Sequence, residues 1–343
     1  MPMLWMQGFD ERYPLDQEHP SLNMPMTWFR SGSDAYLSQG FGLEIDRAVT
    51  EGTWCYLRKP LSGTHTRMIV GGMTRQMNAP RDTAHLGIIL RRDGAVLDIR
   101  NDETGGTGDS RRWRIESSGM VGTDLDETNA IDAPLQTGWR ASAIMVEDMD
   151  GGGIRITFGQ DGVIHESIDF PDTEWPAGEW TDVDFGVTKR SALEERLDDF
   201  YCTTEAMLMF AKVSTIRPDT QGFHDDYSPS AGTKPAQTNN APPSADTIAG
   251  AAGDVDTVNM DTFSAPDAAL PNVVAVEYTV LADTTGPTVV PIVRKDGTDE
   301  DAGALDVSAS RFVSVVAMDE QPAGGAWDAD AINDSEFGTR IEA

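Results

Sequence analysis

Two aspartates separated by one residue stand directly before a run of glycines. Asp148 and Asp150 precede the segment Gly151 to Gly153, so two carboxylates lie at the start of a tight turn. Carboxylate oxygens at this spacing suit hard cations such as Ca²⁺ or Na⁺. The later bidentate acid of a complete calcium loop is missing, and the same Asp-x-Asp spacing recurs elsewhere in this acid-rich chain. Asp148 and Asp150 are therefore the candidate ligands of a structural metal ion.

Three tryptophans are the candidates for contact with sugars. Trp113, Trp139 and Trp175 would offer flat apolar ring faces to a saccharide if they lie at the surface. The alternative is core packing, which is the more common fate of a tryptophan in a β-strand. The sequence favours the core and leaves the sugar-stacking role open.

The sequence shows no arrangement typical of catalysis. Glu44 and Asp46 approach the E-x-D-x-E spacing of a sandwich glycoside hydrolase, but the next acid is Glu51. The period of a strand sends Glu44 and Glu51 to opposite faces, whereas retaining hydrolysis needs two carboxyls about 5 Å apart. The five histidines are isolated, and zinc, nucleophile-elbow and phosphate-loop motifs are missing. We therefore expect a protein that is not an enzyme and has no cofactor beyond a structural ion.

Two cysteines and a pair of aspartates have structural explanations. Cys55 and Cys202 could form one bridge, but two buried free thiols are the preferred interpretation. Asp198 and Asp199 are expected to accept hydrogen bonds from loop amides where a strand begins.

Short strands must position all of these residues. Asp93-Gly94 supplies a two-residue hairpin turn between two apolar runs. Frequent turns and alternating apolar residues favour an all-β antiparallel sandwich, and only Ser191 to Leu197 suggests a short helix. The remaining strands of this part are predicted at 139–147, 154–158 and 163–168.

The composition changes along the chain and divides it into three parts. Residues 1–212 should form a β-sandwich, residues 213–270 a Pro-, Asp- and Thr-rich extended strap, and residues 271–343 a small second β-sandwich. We expect Pro291 at a sheet edge or bulge. A single helical turn should precede Phe337, with Asp328 or Asp330 as its N-cap and Ile332 packed inward.

The net charge of -31 limits the environment and the partners of the protein. It arises from 38 Asp and 19 Glu against 21 Arg and only 5 Lys. Acidic groups on such a surface repel one another unless concentrated salt screens their charges. An Asp-rich, Lys-poor composition of this kind is typical of halophilic proteins. It also disfavours nucleic acid and anionic membranes as partners. Neither a signal peptide nor a membrane-spanning apolar run is predicted, so we expect a protein that stays in the cytoplasm until assembly or lysis.

Four motifs, in the same order, resemble those of a family of virion structural proteins from tailed viruses. The chain opens with Leu4 to Asp10, an apolar strand that ends in G-F-D. It closes with Gly325 to Gly338, which resembles the family run G-x-A-W-T-x-x-x-I-N-x-x-E-F-G. Leu197 to Tyr201 matches a strand of the form I-D-D-x-x. Arg217 to Asp254 resembles the family series P-x-x-x-G, W-T-P-S-x-G, E-x-P-P-D-x-D-T and G-x-x-D, with a loose register where the family has Trp.

The resemblance implies a concanavalin- or laminin-G-like jelly-roll followed by the strap and the small sandwich. It also implies a non-enzymatic, oligomeric structural component of a tailed virus, here of a halophilic archaeon. The protein would form a capsid-vertex turret or decoration, or a tail appendage, with itself and other virion proteins as partners and with host surface glycans as a further contact. The alternative is a secreted haloarchaeal carbohydrate-binding or glycan-cleaving protein of concanavalin-like fold.

Overall fold

The structure is a computed structural model of the 343-residue chain. It describes residues 3–7, 22–23, 26–30, 41–45, 54–60, 65–76, 85–92, 95–102, 111–118, 126–131, 138–171, 180, 182–188, 195–208, 210–211, 213–214, 216–238, 248–264, 276–280, 288–302, 305–306, 313–318, 320–321 and 324–342. The chain divides into two compact units. We name them the N-terminal unit (Gln7–Phe9 and Glu18–Val213) and the C-terminal unit (Met1–Met6, Asp10–Gln17 and Ser214–Ala343).

The predicted all-β jelly-roll sandwich is confirmed, with two large antiparallel sheets. The first has eight strands, in the order β13-β12-β11-β6-β15-β4-β3 with β1 as the eighth, and the second has seven, in the order β10-β9-β8-β7-β14-β5-β2. The strands are β1 (Met3–Gln7), β2 (Leu22–Asn23), β3 (Met26–Arg30), β4 (Phe41–Ile45), β5 (Trp54–Pro60), β6 (Arg67–Gln76), β7 (His85–Arg92), β8 (Ala95–Asp102), β9 (Arg111–Ser118), β10 (Asp126–Ile131), β11 (Gly138–Asp148), β12 (Ile154–Gln160), β13 (Val163–Phe170), β14 (Asp182–Thr188) and β15 (Glu195–Thr203).

The hairpins follow the turn signals of the sequence. Arg92 pairs with Ala95 across the Asp93-Gly94 turn, so β7 and β8 are joined as predicted. β11, β12 and β13 form a meander whose first turn contains three glycines with positive φ (Gly151, Gly152 and Gly153). Ile154, Ile156 and Phe158 are buried, as their alternation predicts, but Thr157 between them is buried too. Thr157 compensates with a hydrogen bond to Ser167 at 2.9 Å.

A bulge in β15 carries the aspartate pair. The register of β15 against β6 shifts between Asp198 and Tyr201, and Asp199 adopts a positive φ of 51°. The Asp199 amide donates to the Asp198 carboxylate at 2.9 Å, and the Val213 amide donates to that of Asp199 at 2.8 Å. Both carboxylates accept hydrogen bonds from backbone amides, as predicted, but they do so at a bulge within β15 and not at the start of a strand. The short helix expected at 191–197 is wrong from Glu195 onward, because these residues are paired in β15.

Cys202 is a free, fully buried thiol, as preferred over a bridge, whereas the side chain of Cys55 lies outside those the structure describes. Burial raises the pKa of the Cys202 thiol to about 12. The thiolate is the reactive form, so Cys202 should resist iodoacetamide at neutral pH in the folded protein. Peptide mapping should find it unmodified in molar salt and modified within the same time in denaturant. Rapid labelling of Cys202 in the native protein would contradict its placement.

The C-terminal unit is built on a six-stranded antiparallel sheet. Its order is β16-β19-β25-β21-β22, with β23 also paired to β21, and β17-β18 and β20-β24 form separate pairs. The elements are β16 (Pro218–Asp225), β17 (Ser228–Pro229), α1 (Lys234–Thr238), β18 (Ile248–Ala249), β19 (Val255–Met260), β20 (Val276–Val280), β21 (Thr288–Lys295), β22 (Thr298–Asp301), β23 (Leu305–Asp306), β24 (Val313–Met318), α2 (Ala329–Asn333) and β25 (Glu336–Ile341). No helix among the described residues is long and apolar enough to cross a membrane.

Part of the range expected as an extended strap, residues 213–270, is strand in this sheet. β16 and β19 pair with each other, and β19 also pairs with β25 near the end of the chain. Composition alone suggested a linker because the segment is rich in Pro, Ala, Asp, Thr and Gly. Its strands form because partners from distant sequence complete their ladders. The divisions at 212 and 270 remain sequence-based predictions.

One of two local predictions for the C-terminal unit is confirmed. Asp328 is the N-cap of α2 and accepts a hydrogen bond from the Ala331 amide at 2.7 Å, and Ile332 is buried. The prediction for Pro291 is wrong: it lies in β21, an interior strand, and pairs with Thr339 of β25 in a regular register. On the other side of β21 it falls between the residues paired with β23 and those paired with β22, where a proline interrupts no register pair.

Candidate functional site

The closing motif contributes to the core of the C-terminal unit. The rings of Trp327 and Phe337 stack with centroids 6.3 Å apart and an interplanar angle of 27°. Their exposed fractions are 2% and 1%. Val293, Ala331 and Ile332 belong to the same buried cluster. The two aromatic residues and the isoleucine of the motif are therefore among the residues that this small unit buries.

Polar residues of the same motif form hydrogen bonds with neighbouring segments of the chain. Asn333 accepts from the Phe263 amide at 2.7 Å and donates to the Phe263 carbonyl at 3.0 Å. Glu336 accepts from the hydroxyl of Thr257 at 2.6 Å. A Cβ on Gly338 would lie 1.9 Å from the carbonyl oxygen of Asp256, so only glycine lets β25 approach β19 this closely.

Three residues of β16 form a bulge above the sheet. Pairing of β16 with β19 is interrupted between Gln221 and Asp225, and the bulge is Gly222 to His224. The Phe223 amide donates to Glu336 at 2.6 Å, and the His224 amide donates to the Thr257 hydroxyl at 3.0 Å. Gly222 is the glycine of the P-x-x-x-G motif that begins at Pro218. A Cβ on it would lie 2.5 Å from both the Glu336 carboxylate and the Thr257 hydroxyl.

The bulge presents an aromatic ring that is surrounded by polar side chains. Phe223 is 67% exposed. The Arg294 guanidinium carbon lies 3.9 Å from its ring centroid, and the His224 ring meets it edge-on with centroids 5.0 Å apart. Asp299 joins both partners, at 2.6 Å from the Arg294 guanidinium and 2.8 Å from Nε2 of His224. We call these four residues the Phe223 platform: Phe223, His224, Arg294 and Asp299.

Electrostatics hold the platform together. Burial alone would raise the pKa of Asp299, but hydrogen bonds from Arg294 and His224 outweigh burial and lower this pKa. Asp299 therefore stays ionised at neutral pH and keeps the guanidinium over the ring. The Arg294 guanidinium and the Asp299 carboxylate offset each other's charge within the platform, which contrasts with the strongly acidic chain around them.

A lysine lies buried beside the same strand. Lys234 at the start of α1 is 6% exposed and binds the carboxylates of Asp225 and Asp256, the second at 2.5 Å. Burial alone would lower the pKa of Lys234, but the two carboxylates outweigh it and raise this pKa. The lysine lines a cavity of about 490 Å³ together with Asp219, Thr220, Gln221, Asp225, Pro229, Thr233 and Pro235. Its ion pairs tie α1 to β16 and β19.

The structure does not gather a metal-binding cluster around the predicted ligands. Asp148 ends β11 half-buried, and Asp150 is exposed in the glycine turn. The described residues contain no group of three or more His, Cys, Asp or Glu side chains that could hold a metal ion. The predicted calcium or sodium site at Asp148 and Asp150 remains a sequence-based prediction.

The three candidate tryptophans have different placements. Trp139 is half-buried and packs against the buried pair Met73 and Ala141, which is the core-packing alternative. Trp113 lies on β9, where its register partners are Asn101 and Asn129, and its side chain is outside those the structure describes. Trp175 lies outside the described residues. The structure thus brings none of the three to an aromatic surface that it describes.

A second exposed apolar surface belongs to the N-terminal unit. β13 stands at one end of its sheet, and Val163 and Ile164 at its start are 53% and 62% exposed. Phe210 is 40% exposed and lies beside Gly162, where a Cβ would come 3.5 Å from its ring. We call Val163, Ile164 and Phe210 the β13 edge. Exposed apolar residues on an edge strand mark a surface suited to association.

Sequence reasoning overlooked the Phe223 platform and Lys234. The local signal was compositional: Phe223 is the one large apolar residue between Pro218 and Asp226, and Lys234 is one of five lysines in the chain. A rare lysine among acids is a reasonable candidate for a buried ion pair. Neither Arg294 nor Glu336 could be matched to Phe223 without the fold, because they lie far away in sequence.

Comparison with known proteins identifies no family. No family model and no curated protein matches the chain. Similar solved structures include a tetrameric galectin from the ball sponge Cinachyrella sp. (15% identity, 43% of this chain, 99% of that chain, TM-score 0.31). They also include the CBM2 module of the evolved Dit of Lactobacillus casei BL23 phage J-1 (11% identity, 59% of this chain, 94% of that chain, TM-score 0.33). A third is the cellulose induced protein Cip1 (14% identity, 59% of this chain, 97% of that chain, TM-score 0.36). At these values the likeness carries no functional argument.

Proposed function

We propose that the chain is a non-enzymatic structural component of a tailed-virus particle that infects a halophilic archaeon. It serves as a capsid-vertex turret or decoration, or as a tail appendage. It acts as an oligomer with other virion proteins around it, and it also contacts glycans of the host surface. It assembles in the host cytoplasm and is released by lysis.

One observation carries this proposal: the motif residues that resemble the virion family are those that hold the C-terminal unit together. Trp327, Ile332 and Phe337 belong to a buried cluster of its core. Glu336 of the closing motif fastens the bulge next to Gly222 of the P-x-x-x-G motif, so two motifs far apart in sequence meet in space. A shared set of packing and fastening residues supports a shared structural module. Such a set is not the signature of a catalytic centre.

The charge and the β13 edge support the remaining parts of the proposal. A net charge of -31 suits a protein that works in concentrated salt, where the Debye length falls to about 3 Å at 1 M. At such screening, repulsion between acidic subunits is short-ranged. The exposed Val163, Ile164 and Phe210 can then be buried between subunits.

The proposal is tested on virus particles. An antibody against the purified chain should label tailed particles recovered from lysed host cells on a molar-salt gradient. Immunogold electron microscopy should place the label at the head vertices or along the tail. The competing function, a secreted carbohydrate-binding or glycan-cleaving protein, predicts label in the particle-free medium together with turnover or binding of polysaccharide there.

Salt dependence gives a second prediction for the whole chain. Dialysis from molar salt to about 0.1 M, where the Debye length is about 10 Å, should abolish the native β-sheet circular dichroism spectrum because repulsion among 57 acidic residues is no longer screened. Sucrose at equal osmolality is the control: it does not screen charge but is excluded from the protein surface, so it should restore the spectrum less fully than salt does. An unchanged spectrum at low salt would remove the halophile argument.

A further inference from the structure

We propose that the Phe223 platform is a binding site for a neutral saccharide, with one pyranose ring stacked on Phe223. The site gives a location and a ligand class to the contact with host glycans, and in that respect it rests on the proposed function. Four observations support it in turn: exposure, rigidity, polar surroundings and charge.

Burial does not explain why Phe223 is a phenylalanine. Its side chain is 67% exposed, so it contributes little buried area to the unit. Among the side chains that the structure describes, the other large exposed hydrophobic residues are those of the β13 edge, in the other unit. An exposed large apolar ring held at a fixed place is the informative case, because burial gives no reason for it.

The backbone beneath the ring is held from several directions. Glu336 accepts from the Phe223 amide, and Thr257 accepts from the His224 amide. Gln221 donates from its side-chain amide to the His224 carbonyl at 2.8 Å and to the Thr257 carbonyl at 2.9 Å. Bulges of this kind re-aim a side chain. The ring is therefore pre-organised, which lowers the entropy cost of binding a ligand.

The groups around the ring match the hydroxyls of a sugar. Asp299 offers acceptor oxygens, Arg294 offers guanidinium donors, and His224 supplies a ring nitrogen. Their side chains keep exposed fractions of 34%, 14% and 23%, so solvent reaches all three. A saccharide ring has one apolar C–H face and a rim of hydroxyls. It can rest on the aromatic ring while its rim meets these donors and acceptors.

The same surroundings argue against a protein partner at this site. A stable protein interface needs an apolar core and on the order of 1,000 Å² or more of buried surface. Beside the platform, β22 contains only exposed polar residues, Thr298 to Asp301. The platform itself is close to neutral, so an acidic ligand would gain no net attraction to offset repulsion by the acidic chain. A neutral sugar fits best.

Saccharide binding by the full-length chain in molar salt provides the test. Saturation-transfer NMR with a panel of neutral hexose oligosaccharides and uronic-acid oligosaccharides should detect binding of neutral members. F223A should weaken it about tenfold or more, as expected for the loss of one buried aromatic contact, while F223W should keep it. T262A, which truncates an exposed side chain of the same unit outside the site, is the matched control and should bind as the parent does.

Each outcome bears on a separate part of the account. If no panel member binds the parent chain, if F223A binds as well as the parent, or if only acidic members bind, the saccharide site is overturned. If the platform captures a virion protein and no sugar, it is a docking surface and the proposal is equally overturned. If the chain binds sugar but its antibody labels no virus particles, the virion role is contradicted and the saccharide site is supported. If the antibody labels virus particles but the chain binds no sugar, the virion role is supported and the saccharide site is contradicted.

Discussion

Trp327→Ala should lower the free energy of unfolding of the C-terminal unit by about 3–5 kcal/mol, the cost typical of deleting a large buried aromatic side chain. Trp327 is 2% exposed, stacks on Phe337 and packs within a cluster that has five buried members among the described residues. The neighbouring side chains of so small a core cannot move far enough to fill the cavity that the truncated tryptophan leaves. Urea unfolding at constant molar salt, followed by far-ultraviolet circular dichroism, measures the effect without relying on tryptophan fluorescence.

Two controls separate this effect from a general sensitivity of the chain. Trp327→Phe keeps an aromatic ring in the stack and should cost clearly less than the alanine substitution. Thr262→Ala truncates an exposed side chain of the same unit and should change stability by less than about 0.5 kcal/mol. A Trp327→Ala protein as stable as its parent would contradict the assignment of the closing motif to the core.

Lys234→Met should destabilise the C-terminal unit by a similar amount, about 3–5 kcal/mol, because it leaves a buried carboxylate without its cation. Asp256 is 4% exposed and would have to remain ionised in an apolar place or take up a proton. Asp225, by contrast, is 66% exposed, so water can solvate it after the lysine is gone. The same urea experiment at neutral pH measures the loss.

A double variant and the pH dependence distinguish the ion pair from lost packing. Lys234→Met with Asp256→Asn removes both charges, keeps an acceptor at position 256, and should recover a large part of the loss. The pKa of Lys234 is raised in the folded state, so its contribution is fully present below the ordinary lysine pKa of about 10.4. It is lost as the pH rises through the raised value. The parent should therefore lose stability at alkaline pH more steeply than the double variant; equal slopes would contradict the pairing.

Features encoded by neighbouring residues could be predicted from the sequence. Asp93-Gly94 implies a hairpin because glycine and aspartate tolerate the turn, and Asp328 caps α2 because its carboxylate reaches an amide three residues on. Both depend on contacts within a few residues. Alternation over a few residues similarly located β11, β12 and β13, although it misjudged Thr157, whose hydrogen bond to Ser167 allows a polar residue to be buried.

The candidate site depends on distant contacts and could not be predicted in that way. The hydrogen bond that fastens the Phe223 amide to Glu336 spans 113 positions, and the one that joins His224 to Asp299 spans 75. No local pattern identifies such partners. The same reason explains the strap: β16 and β19 look like linker by composition and become strands because β25 completes their sheet.

The number of protomers in molar salt tests the structural role most directly. Light scattering coupled to size-exclusion chromatography gives the mass of the particle that the 37.2 kDa chain forms. We predict a closed, discrete oligomer, fivefold for a capsid vertex and threefold or sixfold for a fibre or tail, which Ile164→Asp at the β13 edge should weaken. A monomer at every concentration, above all one that turns over a polysaccharide, would contradict the account.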